Sequence, residues 1–541
     1  MRKLTRRAAS LLAGSAALPR FAIAQADARP SITIAVQRIA NSNTFDNLRE
    51  HSNVGERTAM MFNERLIEID WRGTLAPKPG LAVAWHRPDD RTVELKLREG
   101  VVFHNGDAFT AEDVAARFSA QGMFGDTRPV VDGKTLAHGF TGLTGQASKD
   151  LPKEIPPVAR RLWPGLDRVE VVDRHTVRFH NATPDVTLEG RMAALGSEVV
   201  SRRAYAEAPT WLEYARKPIG TGPYAIREFK PDSLLTLDAH DAYWGGRPPV
   251  KSIRLVEVPE ASSRINGLLA GEYHFACDIA PDQIATIARN PAFEVLGGTI
   301  LNHRLTSFDK FHPQLADPRV RLAMAHAVDR QTIVDALWGG RTRVPKGLQW
   351  EFFGDMFISE WNTPAYDPAR ARQLLRDAGY KGDPIPYRLL NNYYVNQVPT
   401  SQVLVEMWKQ VGVNVAIEMK ETFVQLRDRS QPRGVRDWSS GATLSDPIGS
   451  MVSNFGPNGA AQQAREYANE EFTRLSVILE TSADRPLRRR AFARMLEIAE
   501  RDDPAYIMLH QAATFTAKRR DIKWKAMPAF QMDFSPGNFA L

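Results

Sequence analysis

The sequence predicts a large α/β protein of more than one domain, and three observations carry that expectation. At 541 residues the chain is too long for one compact core and fits two or three domains. Segments with the period-two alternation of strands are interleaved with segments bounded by helix caps, prolines and glycines. In the second half, 385–390, the helical stretch 401–411 and the alternating segment 413–419 form a strand-helix-strand unit, which closes as a parallel pair through a right-handed crossover.

Taken in order, 31–37 reads as a first strand and 57–69 as a helix followed by extended chain. Over 92–98, Val93, Leu95 and Leu97 fall on one side and Glu94, Lys96 and Arg98 on the other, which is the pattern of a half-buried strand. Gly100 and Asn105-Gly106 break it, and Thr110, with Asp113 three residues on, opens a helix whose Val114 and Phe118 share a face. The segments 168–172 and 176–180 flank the turn residues Asp173 and Arg174 as a hairpin, so the first half is sheet-rich. Asp317-Pro318 starts a helix, with the cap first and proline in the first turn, and Gly339-Gly340 stops it. Asp367-Pro368 and Gly379 repeat that grammar around Leu374 and Leu375. No short internal repeat indicates a solenoid or propeller.

The N-terminus reads as a cleaved signal peptide over 1–24. Arg2, Lys3, Arg6 and Arg7 precede the apolar stretch 8–18, and Ala22-Ile23-Ala24 offers a small-x-small cleavage site. About eleven apolar residues cannot cross a hydrocarbon core that needs roughly twenty, and no later stretch does so either. Thr5-Arg6-Arg7 resembles a twin-arginine signal, with Ala9 and Ser10 where that motif prefers bulky apolar residues, so the twin-arginine and general secretory routes both stay open. Five basic residues and no acids leave with the leader, and the formal charge falls from +7 to +2. That balance gives no case for nucleic-acid binding, which needs a clustered basic face. The densest basic run, Arg488-Arg489-Arg490, reads as a solvated helix face. Cys277 is the single cysteine, so neither an intramolecular disulfide nor a thiolate zinc cluster can form; it reads as a buried apolar residue. No cysteine at the cleavage point supports a lipid anchor.

Searches for catalytic chemistry return nothing. Gly133-Lys134-Thr135 looks like the end of a phosphate loop, but Arg128 stands where its leading glycine belongs. No nucleophile elbow, zinc-protease helix or dinucleotide turn is present, and the histidines do not pair at ligand spacing. Cofactors and metal ligands are therefore not expected.

The segment 81–118, LAVAWHRPDDRTVELKLREGVVFHNGDAFTAEDVAARF, resembles the signature of the family 5 extracytoplasmic solute-binding proteins of ABC transporters, the dipeptide-, oligopeptide- and nickel-binding group. Further blocks agree in order: Gly220-Thr221-Gly222-Pro223-Tyr224, Asp241-Ala242-Tyr243-Trp244, 267–272, Asp317-Pro318-Arg319 with Ala327-Val328-Asp329-Arg330, and Tyr366-Asp367-Pro368 with Ala378-Gly379-Tyr380. The likeness spans nearly the whole chain after the leader. Most of these blocks read as scaffold: Gly220 and Gly222 permit a tight turn before Pro223, and Trp85 and Trp244 read as core.

The resemblance implies a two-lobed periplasmic binding protein, class II-like, with an extra subdomain in the first lobe. It divides the chain into a first lobe of 25–62, 198–304 and 509–541, an extra β-rich subdomain of 63–197, and a second lobe of 305–508. It also implies a periplasmic monomer that closes on a peptide or other small solute and delivers it to an ABC permease in the inner membrane, without catalysis. A non-peptide solute such as an opine, sugar or metallophore is the first alternative, and a periplasmic hydrolase the second. The segment 437–447 resembles the family's ligand loop, making Trp438 an aromatic wall, Ser439, Ser440 and Gly441 a hydrogen-bonding edge, and Arg436, with Arg433 beside it, an anion partner. Gly441 stands where peptide binders of the family carry an aspartate for the peptide's amino terminus; either another acid takes that role or the ligand differs. Tyr393 and Tyr394 are expected to wall the pocket, and Asn53 and His510 fall near positions that contact solute in relatives.

Overall fold

A computed structural model describes residues 27–119, 150–391, 393–430 and 433–541. The signal peptide expected at 1–24 and the segment Gly133-Lys134-Thr135 lie outside the described residues. The organising element is one ten-stranded mixed sheet that belongs to both halves of the molecule. One half contributes, from the edge inward, Tyr224–Lys230, Leu234–Ala239, Ser252–Glu257, Ser31–Val36 and Phe275–Ala276. The other contributes Val435–Gly441, Ile385–Leu390 and Val415–Lys420 at the opposite edge. Between them run two long antiparallel strands, Tyr506–Arg519 and Phe293–Phe308, which cross from half to half. A separate four-stranded antiparallel sheet, ordered Ala82–Asp89, Thr92–Leu97, Thr176–Asn181 and Leu166–Asp173, forms the β-rich addition.

Four hydrophobic cores follow from this layout among the described residues. The β-rich unit packs around Val93, Leu95, Phe118 and Phe179, and reaches beyond residue 197 to take in Trp211 and Tyr214. The first-half sheet buries Ile34, Leu255 and Phe534. In the second half, one core gathers Ile333, Leu389, Leu404 and Trp408, and another gathers Trp350, Phe353, Phe455 and Met495. Trp85 and Trp244 pack half-buried against the first of these, as expected. Cys277 is buried, its Sγ 3.6 Å from the Met532 sulfur.

The local grammar mostly holds. Thr110 and Asp113 form a reciprocal capping box at the helix Ala111–Arg117. Ile385–Leu390 and Val415–Lys420 pair in parallel with Ile385 opposite Val415, joined by the helix Gln397–Val411. Other readings need correction. The stretch from Asp317 to Gly339 is two helices, Pro318–His326 and Arg330–Trp338, because Asp329 acts as a second N-cap and accepts from the Thr332 N–H. Gly339, at φ 56°, closes the second in the left-handed region. The hairpin turn sits at Arg174 and His175, since Asp173 still pairs with Thr176 across a bulge. Gly220 and Gly222 are needed for close approach rather than for turning, because a Cβ at either would collide with the Phe62 backbone. Arg488 is not on a solvated face: it is buried in a two-pronged pair with Asp446, at 2.9 and 2.8 Å, because its helix packs against that loop.

Candidate functional site

The crossing strands create the site. Along Phe293–Phe308 the pairing with Tyr506–Arg519 steps from Thr299 opposite Ala513 to His303 opposite Gln511, so the former strand carries two extra residues at this point. Such a bulge bends a strand and releases residues from the ladder. The released residues, Ile300, Leu301 and Asn302, form the floor of a cavity of about 630 Å³ between the two halves. That volume falls inside the ~300–1,000 Å³ of small-molecule sites.

From Asn302 onward the bent strand pairs with Val435–Gly441, placing Leu305 opposite Trp438 and Asn302 opposite Gly441. The end of this second strand is one wall of the cavity, with Trp438, Ser439, Ser440 and Gly441 all lining it. Trp438 is fixed from several sides: its indole N–H donates to Asn454 at 3.3 Å, and the Arg436 guanidinium stacks on its ring at 4.0 Å. Ser440 accepts from Asn454 at 2.8 Å. Tyr393 and Tyr394 stand beside this wall edge to face, 4.6 Å apart, and Phe423 follows Tyr393 at 5.2 Å. Tyr394 donates its hydroxyl to Ser439 at 3.1 Å, and its ring carries the Arg304 guanidinium at 3.3 Å. Arg304 grips both oxygens of Asp437 at 2.6 Å and the Trp438 carbonyl at 2.7 Å, so a buried charge pair underpins the aromatic wall.

The opposite wall comes from the first half. Ser52 caps the helix Asn53–Phe62, whose first turn presents Asn53 and Glu56, three residues apart on one face, to the cavity. Asn53 donates to Ser439 at 3.3 Å and Asn41 to the Tyr393 hydroxyl at 3.3 Å, so the two halves touch across the cleft. Arg161, from the helix Ile155–Leu162 of the β-rich unit, completes this side with His51. Burial pulls His51 down to about 3, which leaves it neutral at pH 7.

A two-lobed scaffold with aromatic and hydrogen-bonding walls around one enclosed cavity is the arrangement of a capture protein. A family model described as bacterial extracellular solute-binding proteins, family 5 middle, matches residues 76–462. The chain belongs to that family. Among relatives, it is 25% identical to the dipeptide-binding protein of Escherichia coli K12 over 483 residues, covering 85% of each chain. It is 26% identical to heme-binding protein A of Haemophilus influenzae over 441 residues, covering 76% of this chain and 74% of that one. Among solved structures, the dipeptide-binding protein of Pseudoalteromonas sp. SM9913 in complex with Met-Leu superimposes with a TM-score of 0.81 at 21% identity, over 94% of this chain and 99% of that one. As a family 5 protein the chain is a solute-binding component and not an enzyme. No helix among the described residues is long and apolar enough to cross a membrane.

Within the family 5 cleft, seven of the nine expected site residues come together: Asn53, Tyr393, Tyr394, Trp438, Ser439, Ser440 and Gly441. Two do not. Arg436 is not offered to a solute, because both oxygens of the buried Glu466 already hold it, at 3.1 and 2.6 Å. Its neighbour Arg433 is engaged in the same way by Asp309 and Glu466, at 3.3 and 3.4 Å. Burial alone would raise the Glu466 carboxyl, but these two guanidinium groups hold it below the usual range. His510 lies on a crossing strand behind the floor, packed on Trp338 at 4.8 Å with Nδ1 against the Gln511 carbonyl. Burial takes it down to about 3. The reading of the sequence missed His51, Glu56, Arg161, Phe423 and Arg427. Only Glu56 carried a usable signal, its helical spacing from Asn53.

Glu56 also yields a test. Burial pushes its carboxyl up to about 7 from an ordinary 4.5, against the pull of Arg65. The folded protein therefore holds this proton between those two values while the unfolded chain releases it. The resulting stability is complete below pH 4.5 and disappears as the pH rises through 7. Against E56Q, which cannot titrate, the wild type is expected to lose about 1–3 kcal/mol between pH 5 and pH 8. Urea melts of both proteins at the two pH values read this directly, and an unchanged gap between them refutes it.

Proposed function

We propose that this chain is the periplasmic solute-binding component of an ABC importer, exported by a signal peptide over 1–24 that is then removed. It captures a peptide or peptide-like solute between two closing lobes and passes it, as a monomer, to an inner-membrane permease. The lobes are drawn as 25–62, 198–304 and 509–541 for the first, with 63–197 as its β-rich addition, and 305–508 for the second. The observation that carries the reading is the cavity itself. Its aromatic walls and its polar strand edge at 439–441 come from one half, and the facing helix turn at Asn53 comes from the other.

A solute that touches both walls binds the closed state better than the open one, and only that difference shifts the population toward closure. The bulge at 300–302 places a bend in the crossing strands at the cavity floor, where closure has to be accommodated. The test combines titration of intrinsic tryptophan fluorescence with di- and tripeptides and solution scattering with and without the bound peptide. Saturable binding with a smaller radius of gyration is expected, whereas an occupied protein of unchanged shape contradicts the closing mechanism. Replacing Trp438 with alanine removes the rigid aromatic wall and is expected to weaken solute binding about 10–100-fold, in line with the ~1.5–3 kcal/mol of a buried aromatic contact. A titration at equal affinity for W438A and wild type removes Trp438 from the site. The relatives that bind dipeptides favour peptide as the solute. Gly441 favours the second reading, a solute without a free α-amino group such as an opine, because no acid stands at that position to pair with it.

A further inference from the structure

The charges around the cavity are unevenly matched. Five arginines line it, at 38, 49, 65, 161 and 427, against three glutamates, at 50, 56 and 154. Three of the arginines have acids: Arg38 meets Glu257 at 3.8 Å, Arg49 meets Glu154 at 3.0 Å, and Arg65 meets Glu198 at 2.9 Å. Glu50 is occupied as well, accepting from the Ser42 backbone N–H at 2.6 Å and from the hydroxyls of Ser42 and Ser52. Arg161 and Arg427 are different. Neither makes a side-chain hydrogen bond or ion pair among the described residues, although both line the cavity. They also belong to opposite halves. Arg161 is near the end of the helix Ile155–Leu162, in the β-rich unit. Arg427 caps the short helix Phe423–Leu426 in the other half, its guanidinium 5.3 Å from the Trp438 ring. They are close enough for the charge of Arg161 to act on Arg427, and burial without an acid lowers Arg161 to about 10.

Two unpaired guanidinium groups facing each other across a closing cleft repel, and the repulsion grows as water leaves. An unpaired buried charge is costly, so a site that keeps two of them has a use for an anion. A carboxylate fits between them because each guanidinium presents a planar fork of donors to its oxygens. We propose that Arg161 and Arg427 form a two-sided clamp for a carboxylate of the solute, so that the preferred solutes are anionic at that end and their negative charge joins the two halves. The clamp rests on the reading of this cavity as the solute site and specifies what that solute carries. It also replaces the role expected of Arg436, whose charge is spent on Glu466.

The test titrates tryptophan fluorescence of the full chain with dipeptides as free acids, the same dipeptides as C-terminal amides, and N-(1-carboxyethyl) amino acids, which carry two carboxylates and no peptide bond. The wild type should bind a free acid at least about 10-fold tighter than its amide, matching the ~1.5–3 kcal/mol of a hydrogen bond to a charged group. R161Q and R427Q should each weaken the free acid by about 10–100-fold and leave the amide unchanged. Neither arginine is paired within the protein, so both variants should keep the wild-type melting temperature. Equal binding of acid and amide by the wild type, or wild-type affinity for the acid in both variants, overturns the clamp and leaves peptide capture standing. If the carboxyethyl amino acids bind with the same dependence on both arginines while no dipeptide binds, the clamp is supported and peptide as the solute is excluded. A wild type that binds no carboxylate in the panel overturns the clamp.

Discussion

Replacing Arg304 with alanine is expected to cost about 3–5 kcal/mol of folding stability and to abolish measurable solute binding. The magnitude comes from the general cost of leaving one partner of a buried ion pair without the other. Asp437 is buried, and its remaining polar partner would be the Gln397 amide at 2.6 Å, which cannot neutralise it. Function should fall with stability because the same guanidinium also holds the Trp438 carbonyl and lies on the Tyr394 ring, two components of the cavity wall. Urea denaturation measures the first effect and fluorescence titration the second. The paired variant R304M/D437L, which removes both charges and fills the space, should recover much of the stability without restoring the wall. A single R304A variant as stable as wild type would show that the pair contributes little, and the link drawn here between core charge and site geometry would fail.

Glu466→Gln is the second substitution with a large expected effect, again about 3–5 kcal/mol, because the carboxylate it removes is almost fully buried and serves two arginines at once. Arg433 keeps Asp309 and the carbonyls of Ala464 and Arg465, but Arg436 loses its only carboxylate. Arg436 is also the group stacked on Trp438, so the aromatic wall loses its backing and solute affinity should drop in the same protein. Adding R436M to E466Q removes the stranded charge and is expected to recover part of the stability. Should E466Q melt like wild type, Arg436 is not dependent on Glu466 and could be available to a solute after all.

Much of the scaffold was readable because its signals are local. The alternation over 92–98, the Thr110 and Asp113 box, and the proline and glycine punctuation around 368–379 each fix backbone conformation within a few residues. Reading failed where a local signal was present but its use was not local. Asp329 could be taken as helix interior or as a cap, and only the packing of two short helices made it a cap. Arg488 sits in a run of three arginines whose periodicity says surface, yet its helix turns that one side chain toward Asp446, 42 residues away in the chain.

The site divides in the same way. The sequence alone determined the α/β class, the family likeness, and a loop with an aromatic followed by small polar residues; these depend on composition and on neighbours in the chain. Only the tertiary structure decided which charges are spent and which are free. Arg436 meets Glu466 from 30 positions away, and Arg304 meets Asp437 from 133, while Arg161 and Arg427 meet no acid at all. The reason is physical: a guanidinium takes its role from whichever carboxylate the fold brings within about 4 Å. That neighbour is set by sheet register and by the bend in two crossing strands, which leaves no trace in the residues on either side of the arginine.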